Sequence, residues 1–266
     1  MKYIYQFIIA AAVLCLAAYS TTEAKNEKKA PAFACKDSMA VFFQKNDRSE
    51  YMDRIVFLEG PSNVRDLGGL KIKGRKCIKR GLIFRGDNLE QTTDADKATL
   101  VEKYGIRTDL DLRGHGTEGS PLGDAVNYVN IAFPWYLEGP DGINGNKHDN
   151  IADAVRLFAD KKNFPLYYHC AIGRDRTGTI TILLMGLCGV PQEEIETDYR
   201  TSFYTYSGTR DETPQDFMVE KLYTPLMDYL KSFGGAESLQ EGVENFLLDL
   251  GLSKKELKAI KKNLTK

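Results

Sequence analysis

The sequence predicts an α/β fold, with a mostly parallel central sheet flanked by helices and a helical C-terminal part. Three observations carry that expectation. Between residues 54 and 188, short apolar or alternating runs take turns with segments of helical spacing. After Val190 the apolar residues recur only at helical spacing. The chain has 266 residues, is 42% hydrophobic and contains no linker that would divide it, so one substantial core is expected.

The elements follow in order. Lys2 precedes "YIYQFIIAAAVLCLAAYS", a charge-free apolar run ending in small residues, and "TTEAKNEKK" follows it. Residues 1–24 are therefore expected to be a secretory signal peptide cleaved after Ala24. The run is short for a spanning helix, and an uncleaved membrane anchor is the competing expectation. Cys15 follows Val13 and Leu14 rather than small residues, which argues against a lipid-modified cysteine. Residues 25–36, "KNEKKAPAFACK", are charged and aperiodic and read as a tether, leaving 37–266 as a single domain. Export places the chain where disulfides form. Cys35 with Cys77 is the one pair to consider, Cys170 being needed as a thiol and Cys188 lying in an apolar helical run.

A short helix is expected around "SMAVFFQ" and a strand over "RIVFLEG", ended by Gly60 and Pro61. "NVRDLGGL" reads as turn-rich, and "CIKRGLIFRGDNL" holds a second strand. "TDADKATLVEKYG" has a capping residue, helical spacing and a glycine stop. "IRTDLDLR" and "NYVNIAF" are strands, the second followed by the long loop "PWYLEGPDGINGNKHDN". "IADAVRLFADK" is helical, "FPLYYHC" a buried strand, and "RTGTITILLMGLCG" the apolar helix after it. Four more helical segments, from "PQEEIETDYRTSFYTY" to "SKKELKAIKKNL", complete the chain.

The chemistry concentrates in "YYHCAIGRDRTGTITILL", at the junction of that strand and that helix. Cys170 and Arg176 stand six positions apart, with Gly173 between them and Thr177-Gly178 after. A loop entering a helix N-terminus gathers unpaired N–H donors and partial positive charge, which suits an anion with several oxygens. Ala171, Ile172, Gly173, Arg174 and Arg176 are the expected phosphate binders, the Arg176 guanidinium holding two oxygens at once. The same surroundings favour thiolate over thiol at Cys170, which makes it a nucleophile aimed at phosphorus. A phosphocysteine intermediate and its hydrolysis follow, with the Thr177 hydroxyl donating to the departing thiolate. Asp175 is the favoured general acid. Asp141, or Glu138, in the long loop is the second route, and a loop-ordering pair with an arginine is the bland role for Asp175.

"HCAIGRDRTG" resembles the signature loop of cysteine-dependent protein tyrosine phosphatases. "NVRDLGGL", "RGLIFRGDNL", "YGIRTDLDLR", "EEIETDYRTSF" and "SLQEGVENFLLDLGLS" resemble a bacterial branch of atypical tyrosine and dual-specificity enzymes, some of which act on phosphoinositides. The resemblance runs from about residue 55 to the C-terminus. It implies the phosphatase α/β fold and a metal-free mechanism. Cys170 carries over as nucleophile, Arg176 as phosphate binder and Asp175 as in-loop acid. Many members have lysine where this chain has Arg174, and the charge is kept while the shape changes. Arg174 could meet a second phosphate on an inositol ring, an acidic residue beside a phosphotyrosine, or a local backbone group.

Other residues have two roles open. His169 either orients the cysteine loop or is a hydrogen-bonded core histidine. Arg65, Asp66 and Arg85 either line the pocket or fix turns as ion pairs. Arg113, at the C-terminal end of an expected parallel strand, is placed for a ligand or for a salt bridge. Three histidines without ligand spacing argue against a metal site, and no cofactor is called for. A net charge of −1 makes no case for nucleic acid as partner. The expected partner is a phosphotyrosine protein or a phosphoinositide. A sulfurtransferase, or a phosphate-binding module without turnover, is the remote competitor.

Overall fold

The sheet is built from β1 (Arg65–Asp66), β2 (Ile83–Gly86), β3 (Thr108–Asp111), β4 (Asn127–Asn130) and β5 (Leu166–His169). Their spatial order is β1-β2-β5-β3-β4. Only β1 runs antiparallel to its neighbour. β5 is central: His169 pairs in register with Gly86 on one side and Asp111 on the other. The C-terminal ends of three parallel strands therefore converge where Cys170 leaves the sheet, the edge at which open α/β sheets place ligands.

This computed structural model describes residues 36–72, 74, 76–132, 148–209 and 214–266, which lie in one compact unit. The expected signal peptide, Cys35, Glu138 and Asp141 lie outside the described residues. No helix among the described residues is long and apolar enough to cross a membrane.

β5 is apolar on both faces because both are covered. Leu166 and Tyr168 join one core cluster with the long apolar helix, while Tyr167 joins the other with Phe84 and Leu100. The helices are α1 (Lys36–Lys45), α2 (residues 94–103, its second half a π-helix) and α3 (His148–Arg156). α4 (Asp175–Cys188) and α5 (Gln192–Thr201) follow the loop that leaves β5. Residues 215–232 form α6, and Leu239–Asp249 and Lys254–Leu264 form α7 and α8. α2 starts as its sequence demands: the Thr93 side chain accepts from the Asp96 N–H and the Asp96 carboxylate takes the Thr93 N–H, a reciprocal capping box. α4 is buried nearly all round, which explains its lack of amphipathic pattern. It ends at Gly189, whose φ of 80° supplies the left-handed cap.

One strand falls elsewhere than its pattern suggests. "RIVFLEG" forms no strand: its pairing is a bridge from Ile55 to Arg65 and a Val56 N–H bond to the Val64 carbonyl, while the Glu59 and Gly60 N–H groups go to the Asp96 carboxylate. The true edge strand is Arg65–Asp66, inside the segment read as turns. Both residues are buried although charged, because each has partners: Arg65 an aspartate, Asp66 the N–H groups of Gly68 and Gly81 at 2.7 and 2.8 Å. Hydropathy does not register a charge that is neutralised at long range. Among the described residues Cys77, Cys170 and Cys188 are free thiols, and the considered pairing with Cys35 involves a residue outside them. Burial pushes the Cys188 thiol up to about 12, in keeping with a core residue.

Candidate active site

Residues 170–174 join β5 to α4, and each of the three peptide carbonyls after Cys170 is held from outside the loop. Asn88 donates to the Ala171 carbonyl from its side chain (2.9 Å) and its backbone N–H (3.3 Å). The Asn63 side-chain amide donates to the Ile172 carbonyl at 2.8 Å. Arg85 donates to the Gly173 carbonyl at 2.6 Å. In a trans peptide the N–H points opposite to its carbonyl. Three carbonyls drawn outward therefore turn the N–H groups of Ile172, Gly173 and Arg174 to the other side, as a nest requires. Gly173 has φ 73°, and a Cβ there would overlap the Gly86 carbonyl; only glycine fits both the conformation and the approach.

The clamp is itself held by a buried charge network. Asp198 of α5 accepts from Arg65 Nε at 2.8 Å and from Arg85 Nη1 at 2.6 Å. All three side chains are essentially without solvent exposure. Burial alone would raise the Asp198 pKa, but the Arg65 and Arg85 charges outweigh it and hold the carboxyl well below its usual range. Arg85 also donates to Thr181 on α4, at 2.8 Å. One arginine thus ties the loop, the helix after it and α5 together.

Cys170 is 2% exposed. Thr177, in the first turn of α4, is fully buried, and its hydroxyl has no hydrogen-bond partner. A buried donor left without an acceptor is costly, and the Thr177 hydroxyl is such a donor one turn from the loop. Arg176 sits half-buried in the same turn. Asp175 opens α4 and accepts from Arg174 Nε at 2.9 Å. Arg174 is 2% exposed and lies over the Phe203 ring, 5.0 Å from its centroid. The second cation of the motif is thus packed between a carboxylate and an aromatic face.

His169 directly precedes Cys170 at the end of β5. Its Nε2 meets Asp109 Oδ1 at 3.0 Å and its Nδ1 the Cys170 carbonyl at 3.3 Å. Burial disfavours the charged ring, but the Asp109 hydrogen bond and the Asp109 and Asp111 carboxylates outweigh it, so the pKa is raised. Asp111 in turn is gripped by Arg113, which also reaches Glu90 at 2.6 Å; Arg113 is therefore a salt-bridge residue. Arg65 and Arg85 stand behind the loop as ion pairs, and Asp66 fixes the turns at Gly68 and Gly81.

Asn63, Asn88 and Asp198 were not singled out from sequence. Their signal was present in the quoted segments "NVRDLGG", "RGDN" and "EIETDYR", where polar residues interrupt apolar runs. Asp87 belongs with them: it accepts the Ser62 and Asn63 N–H groups and fixes the segment that presents Asn63.

Among known proteins, a tyrosine-protein phosphatase of Nostoc commune is 28% identical over 153 residues, covering 50% of this chain and 52% of its own. A relative from Cupriavidus necator is 26% identical over 167 residues, covering 53% of this chain and 60% of its own. The chain thus spans between half and two thirds of the length of these relatives. The core catalytic domain of the PP-IP phosphatase SIW14 from S. cerevisiae superposes with a TM-score of 0.40 at 15% identity, over 62% of this chain and 88% of that one. The tyrosine phosphatase family model matches residues 56–266, which takes in every strand, the pinned loop and the Asp198 clamp. By that match the chain belongs to the tyrosine phosphatase family.

Proposed function

We propose that this protein hydrolyses phosphate monoesters through a phosphocysteine, with phosphotyrosine in proteins as its main substrate and dual specificity within the same mechanism. The observation that carries the reading is the outward pinning of the Ala171, Ile172 and Gly173 carbonyls, which presets the N–H nest beside Cys170. The name of the Nostoc commune relative supports the substrate class.

In the first step the Cys170 thiolate attacks phosphorus, the ester P–O bond breaks, and the departing oxygen takes a proton from the acid. Arg176 and the N–H nest hold the non-bridging oxygens as charge spreads over them. Water then attacks the phosphocysteine, the P–S bond breaks, and the Thr177 hydroxyl donates to the returning thiolate. Asp175 is the acid of this proposal, and release from Arg174 frees its carboxyl for that work. Asp175→Asn is expected to slow aryl esters with poor leaving groups far more than those with good ones, and Asp141→Asn to leave that dependence unchanged. The reverse pattern moves the acid to the long loop.

Phosphoinositide hydrolysis is the alternative substrate class, and it depends on Arg174. That side chain would have to leave Asp175 and Phe203 to meet a second phosphate. Phosphate release from a phosphotyrosine peptide, a phosphoserine peptide and several phosphoinositides, under reducing conditions and with Cys170→Ser alongside, decides between them. Turnover lost in Cys170→Ser and highest on phosphotyrosine is the expected result. A phosphoinositide preference that Arg174→Ala abolishes selectively would replace the main substrate class.

The reading includes export of a bacterial protein through residues 1–24, supported by the basic start, apolar centre and small-residue exit of that segment. Mass spectrometry of the protein recovered from its native compartment is expected to find a chain beginning near Lys25. A membrane-retained chain beginning at Met1 would support an anchor.

A further inference from the structure

Away from the catalytic loop, the described residues hold a buried arginine without an acid. Arg54 closes the 3-10 turn Ser49–Arg54 and is 4% exposed. Its buried Nε and Nη1 nitrogens have no hydrogen-bond partner. Its contact is the Tyr51 ring, 3.7 Å from the guanidinium carbon to the centroid. The acid that acts on it most strongly, Asp198, is already held by Arg65 and Arg85. A guanidinium does not shed its proton to escape such a position, as a lysine can. Burying a charge without a counter-charge costs several kcal/mol in general terms.

Arg54 lines a cavity of about 90 Å³. That is room for more than one water and well below the roughly 300 Å³ of a site for a drug-sized molecule. Arg48, Lys71 and Arg80 share its walls with Glu50 and Glu194. Glu194 is already committed, accepting from the Tyr51 hydroxyl and pairing with Arg48 at 3.2 Å. A second buried donor, Arg48 Nε, also lacks a partner. Gly69 has φ 90°, and a Cβ there would come within 2.9 Å of the Arg80 guanidinium, which thus lies across the glycine at the cavity wall. No residue of the 169–178 loop is part of this lining.

We propose that this cavity is a second anion site, for a small oxyanion of the phosphate class, with Arg54 at its floor and Lys71 and Arg80 at its mouth. The Tyr51 ring backs the guanidinium plane, leaving its N–H edge as a planar fork for two oxygens. Inorganic phosphate is the natural occupant, because the catalytic loop releases it; that identification alone rests on the phosphatase reading. The Arg54 charge also acts on Asp198, so occupancy is felt by the clamp that holds the loop.

The test is equilibrium dialysis of the full chain against radiolabelled inorganic phosphate. Wild type is expected to bind two per chain, Arg54→Met one, Arg176→Met one, and the double variant none. Lys71→Met and Arg80→Met, both surface changes, are expected to weaken the second site about tenfold each, which keeps the test open if Arg54→Met does not fold. One site in wild type, lost in Arg176→Met and kept in Arg54→Met, would overturn the proposal and leave Arg54 stabilised by stacking and solvent. Two sites, neither affected by Arg54→Met, would overturn it as well. One site abolished by Arg54→Met and untouched by Arg176→Met would uphold this site while sinking the phosphate-cup reading.

Discussion

Asp198 and Arg54 are both buried charges in the same core, and they are solved differently. Asp198 is surrounded: two arginines divide its oxygens, and the Ser202 hydroxyl joins through Arg65. Arg54 stands on a tyrosine ring, its Nε and Nη1 without hydrogen-bond partners, in a cavity it shares with Arg48, Lys71 and Arg80. A compensated buried charge serves architecture, since its value lies in the loop it positions. An uncompensated one stores a demand that only something from outside can meet.

The largest expected effect breaks the compensated side. Asp198→Ala leaves Arg65 and Arg85 buried together without a counter-charge, and should destabilise the protein by about 3–5 kcal/mol in urea unfolding. By contrast, Arg54→Met removes a buried charge that has no acid of its own, and in phosphate-free buffer should be neutral or stabilising in the same assay. If both variants lose equal stability, the distinction between the two regions is wrong.

Gly173→Ala tests whether the clamp presets the loop. The new Cβ meets a positive φ and the Gly86 carbonyl, so turnover and active-site phosphate affinity should both fall by more than tenfold, which is about 1.4 kcal/mol. A variant with wild-type kinetics would show that the loop tolerates another shape. Thr177→Val is narrower. Its hydroxyl has no partner, so thermal stability should stay within about 0.5 kcal/mol of wild type. Hydrolysis of the phosphocysteine should slow about 100-fold and appear as a burst with aryl phosphates. Equal loss in both chemical steps would remove Thr177 from the second.

The smallest effect is a pH dependence. Since the His169 pKa is raised in the folded protein, its contribution to stability is complete below the unfolded value of about 6.5 and is lost as pH rises through the folded value. Asp109→Asn removes the main partner and should flatten the melting temperature over that window. The Asp198 contribution has the opposite sign: its depressed pKa gives stability above the unfolded value of about 3.9, lost only as strong acid protonates it.

What sequence revealed and what it hid follow the same division. Cys170, Gly173, Arg176 and Thr177 lie within eight residues at one strand-helix junction, so local spacing exposes them. The sheet is most legible at its central strand β5, which is covered on both faces and carries Leu166, Tyr167 and Tyr168 in succession. Hidden were the residues whose meaning depends on a distant partner. Arg65 and Asp66 look like a polar turn until Asp198 and two glycine N–H groups arrive to satisfy them. Arg174 looks like a free rim cation until Asp175 and Phe203 enclose it.

The pins of the catalytic loop have a kinetic consequence. Asn63 reaches Ile172 across 109 positions, Arg85 reaches Gly173 across 88, and Arg65 reaches Asp198 across 133. Closing such separations is entropically demanding and slow relative to forming local helices. A chain with α4 already wound but residues 63–88 still undocked has the Ile172 and Gly173 carbonyls unpinned and no preset nest beside Cys170. The loop therefore takes its final shape late, when the distant pins dock together.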